Sequence, residues 1–293
     1  MDHLNESTKI IALKSSLERK QFIKGYKWIG YTKALETLQD LDEIVEAPRT
    51  TRMPNILLVG ASNNGKTIIL DKFLKKYPVE FYENSNQVKR KVVLVEAPPS
   101  PDEKRFYQQI LRTLLVPFRT NHRAEILYGQ VMNVFEYLEV KVLVIDEVQH
   151  LLSGTGPKKQ VFLNALKSLS NTMKISIIAA GTKDAFHVFQ SDPQMASRFE
   201  TVALPKWELN KEYVKFLVSY EKILPLRERS YLHNKDIALK ILSLTDRTVG
   251  GITTVLKKAA IKALETGQEK ITVDIISQLG IIHPDEKRKM PLL

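Results

Sequence analysis

The run Gly60-Ala61-Ser62-Asn63-Asn64-Gly65-Lys66-Thr67 has the spacing G-x-x-x-x-G-K-[ST]. Glycines at its two ends let the backbone wrap tightly, so that its N–H groups converge on phosphate oxygens at a helix N-terminus. Lys66 is placed to reach the β- and γ-phosphates, and the Thr67 hydroxyl to ligate magnesium. Further along, the apolar run Val142 to Ile145 ends in Asp146-Glu147. Asp146 at a strand end would hold the hydration shell of a magnesium ion, and Glu147 beside it would polarise a water for attack on the γ-phosphate. His150 stands near the place where a GTPase would carry the glycine of D-x-x-G, and no Asn-Lys-x-Asp base-reading motif occurs. P-loop kinases usually lack the adjacent glutamate. The chemistry implied is hydrolysis of ATP, with ATP and Mg2+ as the bound species.

Two more positions fit the same chemistry. Gly181-Thr182 closes an apolar run, where a polar side chain touches the γ-phosphate or the attacking water. Arg198, in Ser197-Arg198-Phe199-Glu200, lies away from its own nucleotide and would reach a neighbour's site to stabilise transition-state charge. The six histidines are scattered without metal-ligand spacing, so no metal beyond nucleotide-bound magnesium is expected.

These residues need a scaffold. From residue 55, short β-branched runs (56–59, 92–95, 142–145, 175–179 and the weaker 201–204) alternate with helical patterns. In one of these, 159–170, Val161, Phe162, Ala165, Leu166 and Leu169 fall on one face. Continuous apolar strands separated by helices imply a parallel sheet covered on both faces. After Pro205 the strands stop, and helices are predicted over 211–224, 235–244, 252–265 and 273–279, with Asn210 and Thr272 as N-caps and Gly267 just past a helix end. The expected organisation is a basic and aromatic N-terminal segment (1–52), an α/β core (53–205), a helical lid (206–283) and a basic tail (284–293). In the first segment, Leu35, Leu38, Leu41 and Ile44 predict a helix over 33–45, and Phe22, Tyr26, Trp28 and Tyr31 form an aromatic patch suited to core packing or an adenine pocket wall more than to stacking on nucleic-acid bases.

Composition narrows the context. Hydrophobic residues are 43% and charged residues 26% of 293, ordinary for a globular chain and against disorder. There is no cysteine, which excludes disulfides, thiol nucleophiles and Cys-ligated metals and fits a reducing compartment. Apolar runs fall far short of a membrane span, and the polar start is unlike a signal peptide, so a cytoplasmic protein without membrane contact is expected. Forty-four Lys and Arg against 33 Asp and Glu leave a formal charge of +11, which attracts polyanions and nucleic acid first among them.

The phosphate loop, the Ile-Asp-Glu-Val-Gln-His stretch (145–150), the Ser-Arg-Phe-Glu element (197–200) and the all-helical end together resemble an AAA+ ATPase, and a helicase loader or replication-initiation ATPase, the alternative reading, shares these motifs. Arg52-Met53-Pro54-Asn55, Phe162-Leu163-Asn164-Ala165-Leu166, Ala180-Gly181-Thr182, Leu224-Pro225-Leu226-Arg227 and the 260–267 helix end are similar to the TniB/TnsC transposition ATPases, and the likeness runs from about residue 20 to 280. The resemblance implies an α/β AAA+ P-loop NTPase fold, a five-stranded parallel sheet flanked by helices and followed by a small all-helical lid domain. It also implies a ring or helical filament of the chain itself on double-stranded DNA, linking a TniQ-like target-selector protein to a DDE transposase, with ATP hydrolysis controlling assembly. By motif match Thr182 becomes sensor one and Arg198 the finger acting in trans.

One position departs from the wider AAA+ pattern. Where many lids carry a sensor-two arginine, Gly250-Gly251-Ile252-Thr253 supplies no charge, which leaves Arg247 or Lys257 as substitutes or a lid that senses nucleotide weakly. In AAA+ proteins that encircle a substrate, elements after the second and third strands line the channel. Lys104, Arg119 and Thr120 are therefore the expected DNA contacts, made to phosphates. The basic N-terminal segment around Lys20, Lys24 and Lys27 is the alternative surface.

Overall fold

A computed structural model describes residues 1–82, 87–152 and 156–282. The tail expected at 284–293, like His283, lies outside the described residues. The chain separates into two compact units. An α/β unit comprises Ala34–Ala61 and Lys66–Leu204, and a helical unit comprises Met1–Lys33, Ser62–Gly65 and the chain from Pro205.

The α/β unit opens with helix α3 (Thr32–Glu46), which follows α1 (Glu6–Ala12) and α2 (Ser16–Lys24) of the other unit. Its strands are β1 (Asn55–Gly60), β2 (Glu80–Tyr82), β3 (Gln87–Lys89), β4 (Val92–Glu96), β5 (Val142–Asp146), β6 (Ser176–Gly181) and β7 (Phe199–Leu204). Five of them form one parallel sheet in the order β4-β5-β6-β1-β7. The central β5 and β6 are buried along their whole length, which is why they read as unbroken apolar runs. β7 lies at the edge, and there Phe199, Val202 and Leu204 are buried while Glu200 and Ala203 are exposed. Its weak signal in the sequence is that of an edge strand exposed at a position on each face. The short antiparallel β2–β3 hairpin was not expected, because three residues are too few to show a period.

Helices α4 (Lys66–Leu74), α5 (Glu103–Thr113), α6 (Ala124–Tyr137), α7 (Gln149–Leu152), α8 (Gly156–Met173), α9 (Lys183–Ser191) and α10 (Pro193–Ala196) connect the strands. Phe106, Phe135, Phe162 and Phe189 from four of them are fully buried with the sheet residues. Two expected core positions face outward instead: Val161 on α8 is 49% exposed and Leu35 on α3 is 51% exposed. In each case the next apolar position round the helix, Phe162 or Leu38, takes the buried place.

The helical unit carries α11 (Lys211–Glu221), α12 (Lys235–Ser243), α13 (Val249–Glu265) and α14 (Val273–Ser277). Asn210 and Thr272 are N-caps, accepting the N–H groups of Tyr213 and Ile275, and Gly267 just beyond α13 has φ +70°. The first two helices belong to this unit's core. Ile23 is buried among its apolar residues, and α2 starts with a reciprocal Ser15–Glu18 capping box. Arg19, 3% exposed, donates to the Pro225 carbonyl and forms a bidentate pair with Glu269. The aromatic patch divides: Tyr31 packs edge-on against Trp207 at 5.0 Å, whereas Tyr26 is exposed and Lys27 sits over the Phe22 ring.

Candidate nucleotide site

All five strands of the large sheet are parallel, so their C-terminal ends lie along one edge, the usual place for ligands in such sheets. Register puts Val59 beside Gly181 and Ile145 beside Ala179. Gly60, Asp146 and Thr182 therefore emerge at the same edge.

The phosphate loop leaves β1 and ends in the first turn of α4. Gly65 has φ +88° and Asn63 φ +60°, left-handed values that glycine adopts freely and asparagine tolerates. Gly60 has no room for a side chain: a Cβ would lie 3.2 Å from the Leu204 Cβ. Residues 62–65 pack with the helical unit. There the buried Asn64 donates to the Pro205 carbonyl at 3.1 Å and accepts the Val249 N–H at 3.2 Å. The Gly250 N–H donates to the Asn63 carbonyl, and a Cβ on Gly250 would collide with the Asn63 side chain at 1.9 Å. Val249 and Gly250, at the start of α13, thus engage Asn64 and Asn63 through their backbone N–H groups. Lys257 is engaged elsewhere, donating to the Lys24 and Gly25 carbonyls at the end of α2.

Lys66 is 4% exposed and its Nζ donates to the Gly60 and Ala61 carbonyls at 3.0 and 3.1 Å. Burial lowers the pKa of this ammonium, partly offset by the Glu147 and Asp146 carboxylates. The Thr67 hydroxyl donates to Asp146 Oδ2 at 2.7 Å. A hydroxyl and a carboxylate oxygen, both hard donors, suit magnesium, which takes few protein ligands alongside nucleotide phosphates. Among the described residues no cluster of three or more His, Cys, Asp or Glu offers another metal site.

Glu147 follows in the left-handed region, φ +56°, and its N–H donates to Asp146 Oδ1 at 2.9 Å. That conformation is unusual for a residue other than glycine, asparagine or aspartate. One carboxylate oxygen accepts from the Gln149 side-chain amide. The Gln149 carbonyl oxygen in turn accepts the Thr182 N–H at 3.2 Å. Thr182 N-caps α9, yet its hydroxyl makes no cap bond and is buried without a partner. A buried hydroxyl left open at this edge is the feature a phosphate oxygen or ordered water would complete.

Arg198 lies elsewhere. Asn55 pairs with Phe199 at the start of β1, and Gly60 pairs with Leu204 at its end. Arg198 is thus at the opposite edge of the sheet from the loop, about 17 Å away at the strand rise. Its guanidinium donates to Asn171 Oδ1 at 2.7 Å. Two residues of the Arg52-Met53-Pro54-Asn55 stretch hold this turn. Arg52 donates to the Ser197 carbonyl, and the buried Asn55 donates to the Arg198 carbonyl at 3.3 Å while accepting the Ile177 N–H at 2.7 Å. In the sequence this stretch carries no role of its own, Asn171 belongs to no motif, and Gln149 is only part of the 145–150 stretch. A polar side chain opening a buried strand was the available signal for Asn55.

Lys104 is in the first turn of α5, half-buried, whereas Arg119 and Thr120 are exposed in the following loop. One helical turn on from Lys104, the Gln108 amide donates to the Thr120 carbonyl at 3.2 Å. The structure thereby brings the loop onto the face of α5 that carries Lys104.

The family described as Bacterial TniB protein matches residues 19–209. No curated protein matches the chain. Among solved structures, Cdc6p from Pyrobaculum aerophilum is similar with a TM-score of 0.65 at 17% identity, covering 93% of this chain and 74% of that one. The Aeropyrum pernix ORC2 protein, solved as ADPNP-ADP complexes, gives a TM-score of 0.61 at 14% identity, over 93% and 75% of the two chains. The ORC1 protein of the same organism, solved in complex with DNA, gives 0.57 at 14% identity, over 96% and 75%. At such identities these likenesses concern the fold: a five-stranded parallel sheet flanked by helices, with a helical C-terminal region. The family match spans the whole α/β unit and makes the chain a member of the TniB family, an ATPase of the AAA+ class, whose fold these solved structures share.

Proposed function

We propose that this protein is an ATP-driven transposition regulator that oligomerises on double-stranded DNA and links a TniQ-like target selector to a DDE transposase. The observation that carries the catalytic part is the meeting, at one sheet edge, of Lys66, the Thr67–Asp146 pair, Glu147 and the open Thr182 hydroxyl. In this reading the N–H groups of residues 60–67 and the Lys66 ammonium bind the phosphates. Thr67 and Asp146 would hold magnesium, which when bound offsets charge on the β- and γ-phosphates. Glu147 polarises the attacking water and Thr182 orients it or the γ-phosphate.

The distance between Arg198 and its own loop supports a finger supplied to a neighbour, and so self-assembly for turnover. A charge of +11 and the Gln108–Thr120 bond, which draws the 119–120 loop toward the α5 face carrying Lys104, support phosphate contacts with DNA. TniB membership favours transposition over the loading of a helicase as the setting.

The test is ATP turnover together with electron microscopy on double-stranded DNA, with and without ATP. Glu147→Gln should bind ATP, lose turnover and leave longer-lived assemblies on DNA, while Lys66→Ala should lose binding and assembly together. Wild-type turnover in Glu147→Gln would remove the glutamate's role, and absence of ordered assemblies under every nucleotide condition would remove the filament.

A further inference from the structure

Gln149 stands in the Ile-Asp-Glu-Val-Gln-His stretch without a role of its own there, yet it is the residue that joins the two halves of the hydrolytic apparatus. Its side-chain oxygen accepts the Thr182 N–H at 3.2 Å and its amide NH2 donates to Glu147 Oε2. The orientation of an asparagine or glutamine amide is ordinarily ambiguous, because oxygen and nitrogen are nearly alike in shape. Here it is settled by chemistry. A backbone N–H can only donate, so the Gln149 atom facing Thr182 must be the oxygen, and the NH2 must then face the carboxylate, which can only accept. Both bonds are satisfied in this one orientation.

The surroundings leave the side chain little freedom. A Cβ added to Gly181 would stand 2.9 Å from the Gln149 side-chain oxygen and 2.8 Å from the Ala185 Cβ, so the absence of a side chain at 181 opens the space Gln149 uses. Val148, between the two partners, is fixed by its N–H to the Ala180 carbonyl at 2.9 Å. Glu147 is held at φ +56°, a conformation that needs outside support. Its N–H is fixed by Asp146 and one carboxylate oxygen by Gln149.

We infer that Gln149 is a positioning residue for ATP hydrolysis: it holds one Glu147 oxygen so that the other is presented to water, and ties that carboxylate to the backbone of Thr182. The inference rests on the assignment of Glu147 as the water-polarising residue. Gln149 touches neither phosphate nor water in this scheme. It acts through Glu147, and its loss should spare binding and slow the chemical step. Displacing a general base from its angle of attack costs roughly ten- to a hundred-fold in rate.

The experiment is steady-state ATP hydrolysis on DNA by the full-length chain, with binding of a non-hydrolysable ATP analogue measured in parallel. Gln149→Ala should lower kcat by ten- to a hundred-fold with KM and analogue affinity within about twofold of wild type. Gln149→Asn, one methylene too short to span both partners, should behave like Gln149→Ala. A purely structural role would lower analogue affinity along with turnover, so the split between kcat and KM separates the two.

Gln149→Ala turnover within twofold of wild type, or above it, would overturn the inference, provided Glu147→Gln is inactive. If Glu147→Gln is itself active, the underlying assignment is what has failed. Loss of analogue binding in Gln149→Ala and Gln149→Asn alike would also overturn it, since the residue would then be needed for the fold of the site.

Discussion

Asn55 is the most informative single side chain to perturb, because one amide at the start of β1 serves three segments of the α/β unit. It is 3% exposed, accepts the Ile177 N–H at 2.7 Å, and donates to the Met53 and Arg198 carbonyls at 3.2 and 3.3 Å. Asn55→Ala leaves the Ile177 N–H buried without an acceptor, at about 1–3 kcal/mol, and loses two weaker bonds, for a total of about 2–4 kcal/mol. Asn55→Asp separates the two functions. One oxygen keeps the Ile177 bond while the other faces two carbonyls that only accept. With no cation among its partners, the buried carboxylate has a folded pKa above the unfolded value of about 3.9. The penalty is therefore full at pH above the folded pKa and shrinks as pH falls through it, because the protonated acid can donate again. Each unit of elevation is worth about 1.4 kcal/mol. Urea unfolding of wild type and both variants at pH 8 and pH 5 measures this. The deficit of Asn55→Asp against wild type should shrink by at least about 1 kcal/mol on acidification, whereas that of Asn55→Ala should stay constant. Equal deficits for Asn55→Asp at the two pH values, or a cost below about 0.5 kcal/mol for Asn55→Ala, would refute the reasoning.

Arg198→Ala should bind ATP normally yet hydrolyse it up to about 10³-fold more slowly, and mixing it with Glu147→Gln protein should restore activity at hybrid interfaces; mixtures inactive at every ratio would exclude a finger in trans. Arg19→Met leaves Glu269 without its guanidinium and should cost about 3 kcal/mol of unfolding free energy. The Arg19 bond holds the Glu269 carboxyl below its ordinary 4.5, so that stability is present above pH 4.5 and is lost as pH falls through the folded pKa; acid titration of wild type against Arg19→Met checks it. Lys104→Ala with Arg119→Ala should reduce the salt slope of log DNA affinity by about 0.9 per lost phosphate contact, with little dependence on DNA sequence. An unchanged slope would move the DNA surface to the basic stretch around Lys20, Lys24 and Lys27.

The sequence by itself determined what is local. Gly60 to Thr67, Asp146-Glu147 and the alternation of apolar runs with helical patterns were readable because backbone conformation and strand burial leave short-range signatures in residue type. The caps at Asn210 and Thr272 were readable for the same reason. Tertiary structure decided everything that depends on which strand lies beside which. The order β4-β5-β6-β1-β7 brings Asp146, Thr182 and the loop to one edge and sends Arg198 to the other, a separation no spacing along the chain encodes. Packing decided that Leu35 and Val161 face outward, that Tyr31 joins a core built mainly from residues after 205, and that Gln149 spans Glu147 and Thr182. Those outcomes follow from pairwise fit across long stretches of chain, and hydrogen bonds such as those of Asn55 and Gln149 are formed between groups that only folding brings within 3 Å or so of each other.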